Sequence, residues 1–306
     1  MLELLFLGTG ASVPSRDRAT SCIAVRNRSD IILLDCGEGS QRQLMISPFS
    51  YMKIRAICIT HLHGDPVFGL PGLLQPMSLS GRTEPLTVYG PEGIGKGLAA
   101  MMSVTEGETL YPLEVVEVSG GEEIPVKDMV VSVYPTEHGM PSVGYVIREH
   151  DRPGKLDREK ALSLGIRDGP DMARLKAGET VNGVRSEEVT GPVTPGTAVS
   201  YTGDTLASGS VAEAFAGVDV LVHECTYMDS ERQMAGEHFH STTLQAAETA
   251  RDAGVHQLIL THISNRYDDH DAVVAEARTV FPNTVAAEDM QLYDVMHGRV
   301  VLRGSE

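Results

Sequence analysis

The residues with the most obvious chemistry are gathered in Thr60-His61-Leu62-His63-Gly64-Asp65. Two histidines and a carboxylate stand at alternate positions, directly after the apolar run Ile54–Ile59. Alternate residues of an extended chain point the same way, so His61 and His63 can offer imidazole nitrogens to one cation with Asp65 beside them. Imidazole and carboxylate donors suit zinc, and a catalytic site of this kind keeps one coordination position open for water. Further candidates sit where turns follow apolar runs. His138 lies in Pro135-Thr136-Glu137-His138-Gly139, Asp204 in Tyr201-Thr202-Gly203-Asp204-Thr205, and His262 at the end of Leu258-Ile259-Leu260-Thr261-His262. Any one of these histidines alone reads as an ordinary hydrogen-bonded residue. Together they supply the set that a two-metal hydrolase requires, in which cations roughly 3.5–4 Å apart clamp the attacking and leaving oxygens of a phosphodiester.

Such ligands need strands to carry them. Short β-rich runs separated by glycine turns predict strands at Leu4–Leu7, Cys22–Val25, Ile31–Leu34, Ile54–Ile59, Leu86–Tyr89, Val115–Val118 and Val130–Tyr134. Helices are expected at Ser40–Ile46 and Gly95–Met102. Residues 148–198 are rich in Gly, Pro and charge and read as an inserted arm, with a short helix near Asp157–Leu164. The pattern then resumes with strands at Ala198–Tyr201, Val218–Val222 and Gln257–Leu260, and helices at Thr242–Ala253 and near Ala272–Val280. Ile57-Cys58-Ile59-Thr60-His61 is echoed by Leu258-Ile259-Leu260-Thr261-His262. A sandwich of two similar halves would bring both strand ends to one edge.

Composition limits the alternatives. The 306 residues suffice for a sizeable core. No apolar run approaches the roughly 18–20 residues of a membrane span, and the N-terminus lacks the basic start of a signal peptide. Cys22, Cys36, Cys58 and Cys225 form no CxxC pair and read as buried thiols of a reducing cytoplasm. A net charge of −17 disfavours general nucleic-acid binding unless positive charge is concentrated. Residues 148–186 hold nine of the 25 basic residues against seven acids, so this stretch is +2 and the remainder −19. A solvated mixed-charge surface would look the same. Gly90-Pro91-Glu92-Gly93-Ile94-Gly95-Lys96-Gly97 nearly matches a phosphate loop, but Gly97 lacks the hydroxyl that would hold magnesium, and a plain strand–turn–helix is expected.

The chain resembles the metallo-β-lactamase superfamily and, within it, the tRNase Z family. The blocks that carry the likeness run the length of the chain: Leu5-Phe6-Leu7-Gly8-Thr9-Gly10, Leu34-Asp35-Cys36-Gly37-Glu38, His61-Leu62-His63-Gly64-Asp65, Phe68-Gly69-Leu70-Pro71-Gly72-Leu73, Thr202-Gly203-Asp204-Thr205, Val222-His223-Glu224-Cys225-Thr226, His240-Ser241-Thr242 and Leu260-Thr261-His262-Ile263-Ser264. The resemblance implies a four-layer αββα sandwich over 1–306, two mixed sheets with helices outside and metals at one edge, and a protruding tRNA-binding arm at 148–186. It implies that His61, His63 and His138 bind one zinc, that Asp204 bridges, and that Asp65 and His262 bind a second, with manganese as an alternative metal. Asp65 would orient or deprotonate the attacking water. His240 would donate a proton to the leaving 3′ oxygen, and Glu224 would orient its ring or brace a ligating histidine. A cytoplasmic homodimer acting on precursor tRNA, with no membrane association, is the implied setting.

The chain departs from that pattern at two places. Pro66 stands where the family has a final histidine ligand of the second metal, and proline offers no donor atom. Arg167-Asp168 stands where the arm has two prolines. The first departure admits a tRNA-binding protein that has lost catalysis. A hydrolase of small phosphodiesters is the other alternative.

Overall fold

The computed structural model describes residues 1–104 and 108–304. Its first sheet begins with strands β1 (Leu2–Gly8), β2 (Cys22–Asn27), β3 (Asp30–Leu34), β4 (Ile54–Cys58), β5 (Leu86–Gly90) and β6 (Leu113–Glu117). The second contains β7 (Glu123–Val126), β8 (Met129–Pro135), β9 (Val143–Glu149), β10 (Ala198–Tyr201), β11 (Val220–Glu224), β12 (Gln257–Thr261) and β13 (Thr284–Ala286). The chain then returns to the first sheet as β14 (Leu292–Met296) and β15 (Arg299–Leu302). Strand order is β15-β14-β1-β2-β3-β4-β5-β6 in one sheet and β13-β12-β11-β10-β9-β8-β7 in the other. Both are mixed: β3 to β6 pair in parallel, as do β10 to β13, and the remaining assigned pairs are antiparallel.

The alternation of side chains along each strand builds the layers. In β1, Leu2, Leu4 and Phe6 join Val220, Val222 and Ile259 in the core between the sheets. Leu5 and Leu7 face the other way, into a cluster with Leu44, Leu70, Leu73 and Leu74 of the helices Ser40–Ile46 and Leu70–Leu79. On the second sheet, Leu258 and Leu260 pack on Ala246, Ala247 and Ala250 of the helix Thr243–Ala253. Strands covered on both faces read as continuous apolar runs, which is why β1, β3 and β4 stand out in the sequence. Glu3 interrupts β1 and is neutralised there by Arg26 and Arg303.

The chain leaves β9 at its end and re-enters as β10, whose Ala198 pairs with Arg148. Between them, Glu149–Gly196 forms a compact unit of its own. The unit lies within the 148–198 segment read as an inserted arm and runs ten residues past 186, where the resemblance ends the tRNA-binding part. Its small core gathers Ala161, Ile166, Met172, Leu175, Val181, Val184 and Val189 around short helices at Arg158–Ser163, Pro170–Lys176 and Ser186–Val189. Five of its arginines make ion pairs inside it: Arg152–Glu149, Arg158–Asp168, Arg167–Asp171, Arg174–Glu179 and Arg185–Glu188. The positive charge of the segment is thus largely balanced locally.

Candidate metal centre

Each ligand candidate leaves a strand end. β4 ends at Cys58 and delivers Thr60-His61; β12 ends at Thr261 and delivers His262. β8 precedes the His138 turn and β10 the Asp204 turn. The echoed Thr-His ends do meet at one edge. Asp204 joins them: its Oδ2 lies 3.5 Å from His61 Nε2 and its Oδ1 lies 3.4 Å from His262 Nε2.

Two overlapping donor groups result. His61, His63, His138 and Asp204 each place a ligand atom within 4.8 Å of the others, and so do Asp204, His240 and His262. In the first group His138 Nε2 is 3.2 Å from His63 Nδ1, and the three rings meet edge to face at centroid distances of 4.9–5.0 Å. Asp65 Oδ2 is 3.2 Å from His262 Nε2. The sequence-derived ligands are therefore brought together, Asp65 through His262. His240 joins them as a possible donor, which the sequence reading did not assign to it.

The outer nitrogens of these rings are held by the protein, which aims the inner ones. His61 Nδ1 meets Thr60 Oγ1 at 3.0 Å, His138 Nδ1 meets the Phe239 carbonyl at 2.9 Å, and His262 Nδ1 meets Thr226 Oγ1 at 2.8 Å. His61 Nε2 is buried and has no hydrogen-bond partner among the described residues. A buried imidazole nitrogen left unpaired is costly, and a cation on the His61, His63, His138 and Asp204 donors would satisfy it. The donor set fits zinc in type.

A supporting layer lies behind the candidate ligands. The Asp35 carboxylate accepts from Thr60 N at 2.8 Å, from Thr60 Oγ1 and from Tyr201 OH at 2.9 Å, tying β3, β4 and β10 together under His61. Burial pushes the Asp35 carboxyl up to about 8, against the lowering effect of those donors. Gly203 (φ +60) lets the Asp204 turn press on this layer: a Cβ there would stand 2.6 Å from Thr60 Cβ. On the other side Glu224 is buried and saturated. It accepts from Thr205 N, Thr226 N, Thr226 Oγ1 and Ser241 N, and from His240 Nδ1 at 2.9 Å. Thr242 caps the following helix and Ser241 Oγ donates to the Thr205 carbonyl, so the two residues after His240 are held in place.

Electrostatics favour a cation here. Burial and the neighbouring His138 hold His61 well below the usual imidazole value, so it is neutral and ready to ligate. Burial also lowers His138. Burial works against charge on His262 and His240 too, yet the carboxylates prevail: Asp204 and Asp65 raise His262, and Glu224 raises His240. The carboxylates of Asp65, Asp204 and Glu224 thus set a negative potential at His262 and His240, which favours a cation.

Asp35, Thr60, Tyr201 and Thr226 were not legible as site residues, since none is a ligand type in a recognisable spacing. His223 is buried, with Nδ1 on the Glu224 carbonyl. The phosphate-loop look-alike is strand, turn and helix, and Glu117 occupies the Gly93 amide where a phosphate would sit.

Comparison with known proteins agrees with this geometry. Residues 2–152 match the family model described as anti-Pycsar protein Apyc1, and 172–263 match that of the beta-lactamase superfamily domain. A ribonuclease Z from Methanosarcina mazei is 42% identical over 300 residues, covering 96% of this chain and 98% of its own. The chain belongs to the ribonuclease Z family. A ribonuclease BN from Escherichia coli K12 is 41% identical, covering 96% of this chain and all of its own. Among solved structures, the short form of human tRNase Z superposes with a TM-score of 0.71 at 27% identity, covering 96% of this chain and 99% of that one. The two-sheet α/β sandwich described above is thus the metallo-β-lactamase fold of ribonuclease Z. At the position where the resemblance implies a further histidine ligand stands Pro66. It sits buried in the short helix Gly64–Val67, and its carbonyl accepts from Cys36 N at 2.8 Å.

Proposed function

We propose that the chain is a metal-dependent endoribonuclease that removes the 3′ trailer from precursor tRNA by hydrolysing the phosphodiester after the discriminator base. The observation that carries this reading is the pair of donor groups meeting at Asp204, in a chain 42% identical to a ribonuclease Z over nearly its whole length. His61, His63, His138 and Asp204 would hold one cation, and Asp204, Asp65 and His262 a second. Zinc is the cation that the donor types favour, with manganese as the alternative. When bound, the cations would polarise the attacking water and offset charge on the phosphate oxygens. Asp65 would direct the water or take its proton. Burial opposes its charge, but His262 and His61 hold its carboxyl well below the usual carboxylate range. The products are a tRNA 3′-hydroxyl and a trailer 5′-phosphate.

The unit Glu149–Gly196 would grip tRNA, and the enzyme would work as a homodimer in the cytoplasm. These assignments rest on the family resemblance. Among the described residues, no helix is long and apolar enough to cross a membrane.

The test is incubation of a 3′-extended precursor with the zinc-loaded protein and mapping of both new ends. A cut after the discriminator base with those end groups is expected. Tight binding without cutting would instead mark a tRNA-binding protein disabled at Pro66. Turnover of a small diester with intact RNA would mark a general phosphodiesterase.

A further inference from the structure

Pro66 leaves the second cation one side-chain donor short, and the structure holds a replacement. Asp204, His240 and His262 each place a ligand atom within 4.8 Å of the others. The His240 ring stacks on that of His262, with centroids 5.5 Å apart and planes 27° from parallel. His240 Nδ1 is engaged by Glu224 Oε1 at 2.9 Å and lies 3.2 Å from Thr226 Oγ1, which leaves Nε2 as its ligand atom. Thr226 Oγ1 also holds His262 Nδ1 at 2.8 Å, so one hydroxyl braces both rings. A carboxylate behind an imidazole is the usual support of a ligating histidine, because it fixes the tautomer and raises the basicity of the other nitrogen. Glu224 is well placed for this, since four further donors hold it rigid.

We infer that His240 is a ligand of the second divalent cation, completing with Asp204, His262 and Asp65 the site that Pro66 leaves short. The inference rests on the two-cation reading above and changes one role in it. A nitrogen whose lone pair is on a cation carries no proton, so a ligating His240 does not protonate the leaving oxygen. Glu224 then acts as a positioning residue for a ligand.

Zinc binding to metal-stripped protein, measured by competition with a chromophoric chelator, separates these roles without recourse to activity. The parent is expected to bind two zinc ions per chain. His240→Gln should keep the first and weaken the second at least roughly 10-fold, as loss of ligand support does in metal sites generally. Adding Pro66→His to His240→Gln should restore the second, which also shows that the variant is folded. Second-site affinity unchanged in His240→Gln would overturn the inference, as would a parent that binds one zinc and gains a second only in Pro66→His. A parent that binds no zinc, or loses none in His61→Ala, would instead overturn the two-cation reading.

Discussion

Replacing Gly203 with alanine should damage the centre from behind, and the structure allows the cost to be worked out. The added Cβ would lie 2.6, 2.7 and 2.8 Å from Thr60 Cβ, Cγ2 and Oγ1, all closer than real contacts. Thr60 is buried and tied to Asp35, so it cannot swing away. Relieving such a clash costs about 1–3 kcal/mol. The left-handed backbone, φ +60, adds about 1–2 kcal/mol for a residue with a Cβ. Gly254 isolates the second contribution: it has φ +65, and nothing lies within 4 Å of its Cβ position. Denaturant midpoints at constant slope should therefore fall for both alanine variants, with Gly203→Ala about 1–3 kcal/mol worse. Zinc affinity should fall only in Gly203→Ala, because Thr60 and Asp204 are forced apart. Equal losses in the two variants, with zinc affinity intact, would refute the argument that this turn is packed against the ligand layer.

Other consequences are as direct. Zinc should raise the melting temperature of stripped protein, and free zinc at about 100 times its Kd should add about 2.7 kcal/mol; no shift on zinc addition would contradict a preformed cation site. Glu224→Gln should cost about 1–3 kcal/mol by weakening a buried charge-assisted bond, and should lower the His240 pKa as read by NMR titration; an unmoved His240 would show that Glu224 does not control it. Asp35, pushed up to about 8 by burial, holds an extra proton in the folded chain. Its contribution to stability is then full below about pH 4 and is lost as the pH rises toward 8. Stability of stripped protein should accordingly fall more between about pH 5 and 8 in the parent than in Asp35→Asn, and equal slopes would show Asp35 ionised throughout. Replacing 149–196 by a tight turn between Arg148 and Thr197 should preserve zinc binding and small-diester turnover but abolish precursor cleavage; cleavage by the shortened chain would remove the arm from substrate recognition.

Much of the candidate centre was legible in the sequence because its donor residues lie where apolar runs stop. His61, His63, His138, Asp204 and His262 all follow such ends, and the Thr-His echo foretold the shared edge. The helices Ser40–Ile46 and Thr243–Ala253 were expected within a residue of their bounds, and Thr242, read as the first residue of the second, caps it instead. What escaped depends on contacts between distant segments. Tyr201 reaches Asp35 across 166 residues, and no local pattern records that. The helix Leu70–Leu79 was hidden by Pro71, Gly72 and Pro76, although proline in the first turn is compatible with a helix. β9 was hidden by Gly144 within its apolar run. The inserted arm was legible over 148–198 from its glycine, proline and charge, but not that 187–196 belongs with the part before it, where Arg152 N bonds the Thr194 carbonyl. His240 was read only as an acid because its proximity to Asp204 and His262 is a fact of the fold.

Phosphodiester hydrolysis by this chain should depend on cations shared through Asp204. The most direct test is cleavage of a 3′-extended precursor tRNA by metal-stripped protein as zinc is restored in counted equivalents, with Asp204→Asn in parallel. No cleavage by stripped protein is expected, with a cut after the discriminator base that appears as zinc fills the chain, and little or none in Asp204→Asn. Cleavage without metal, or an Asp204→Asn variant that cuts as the parent does, would contradict that dependence.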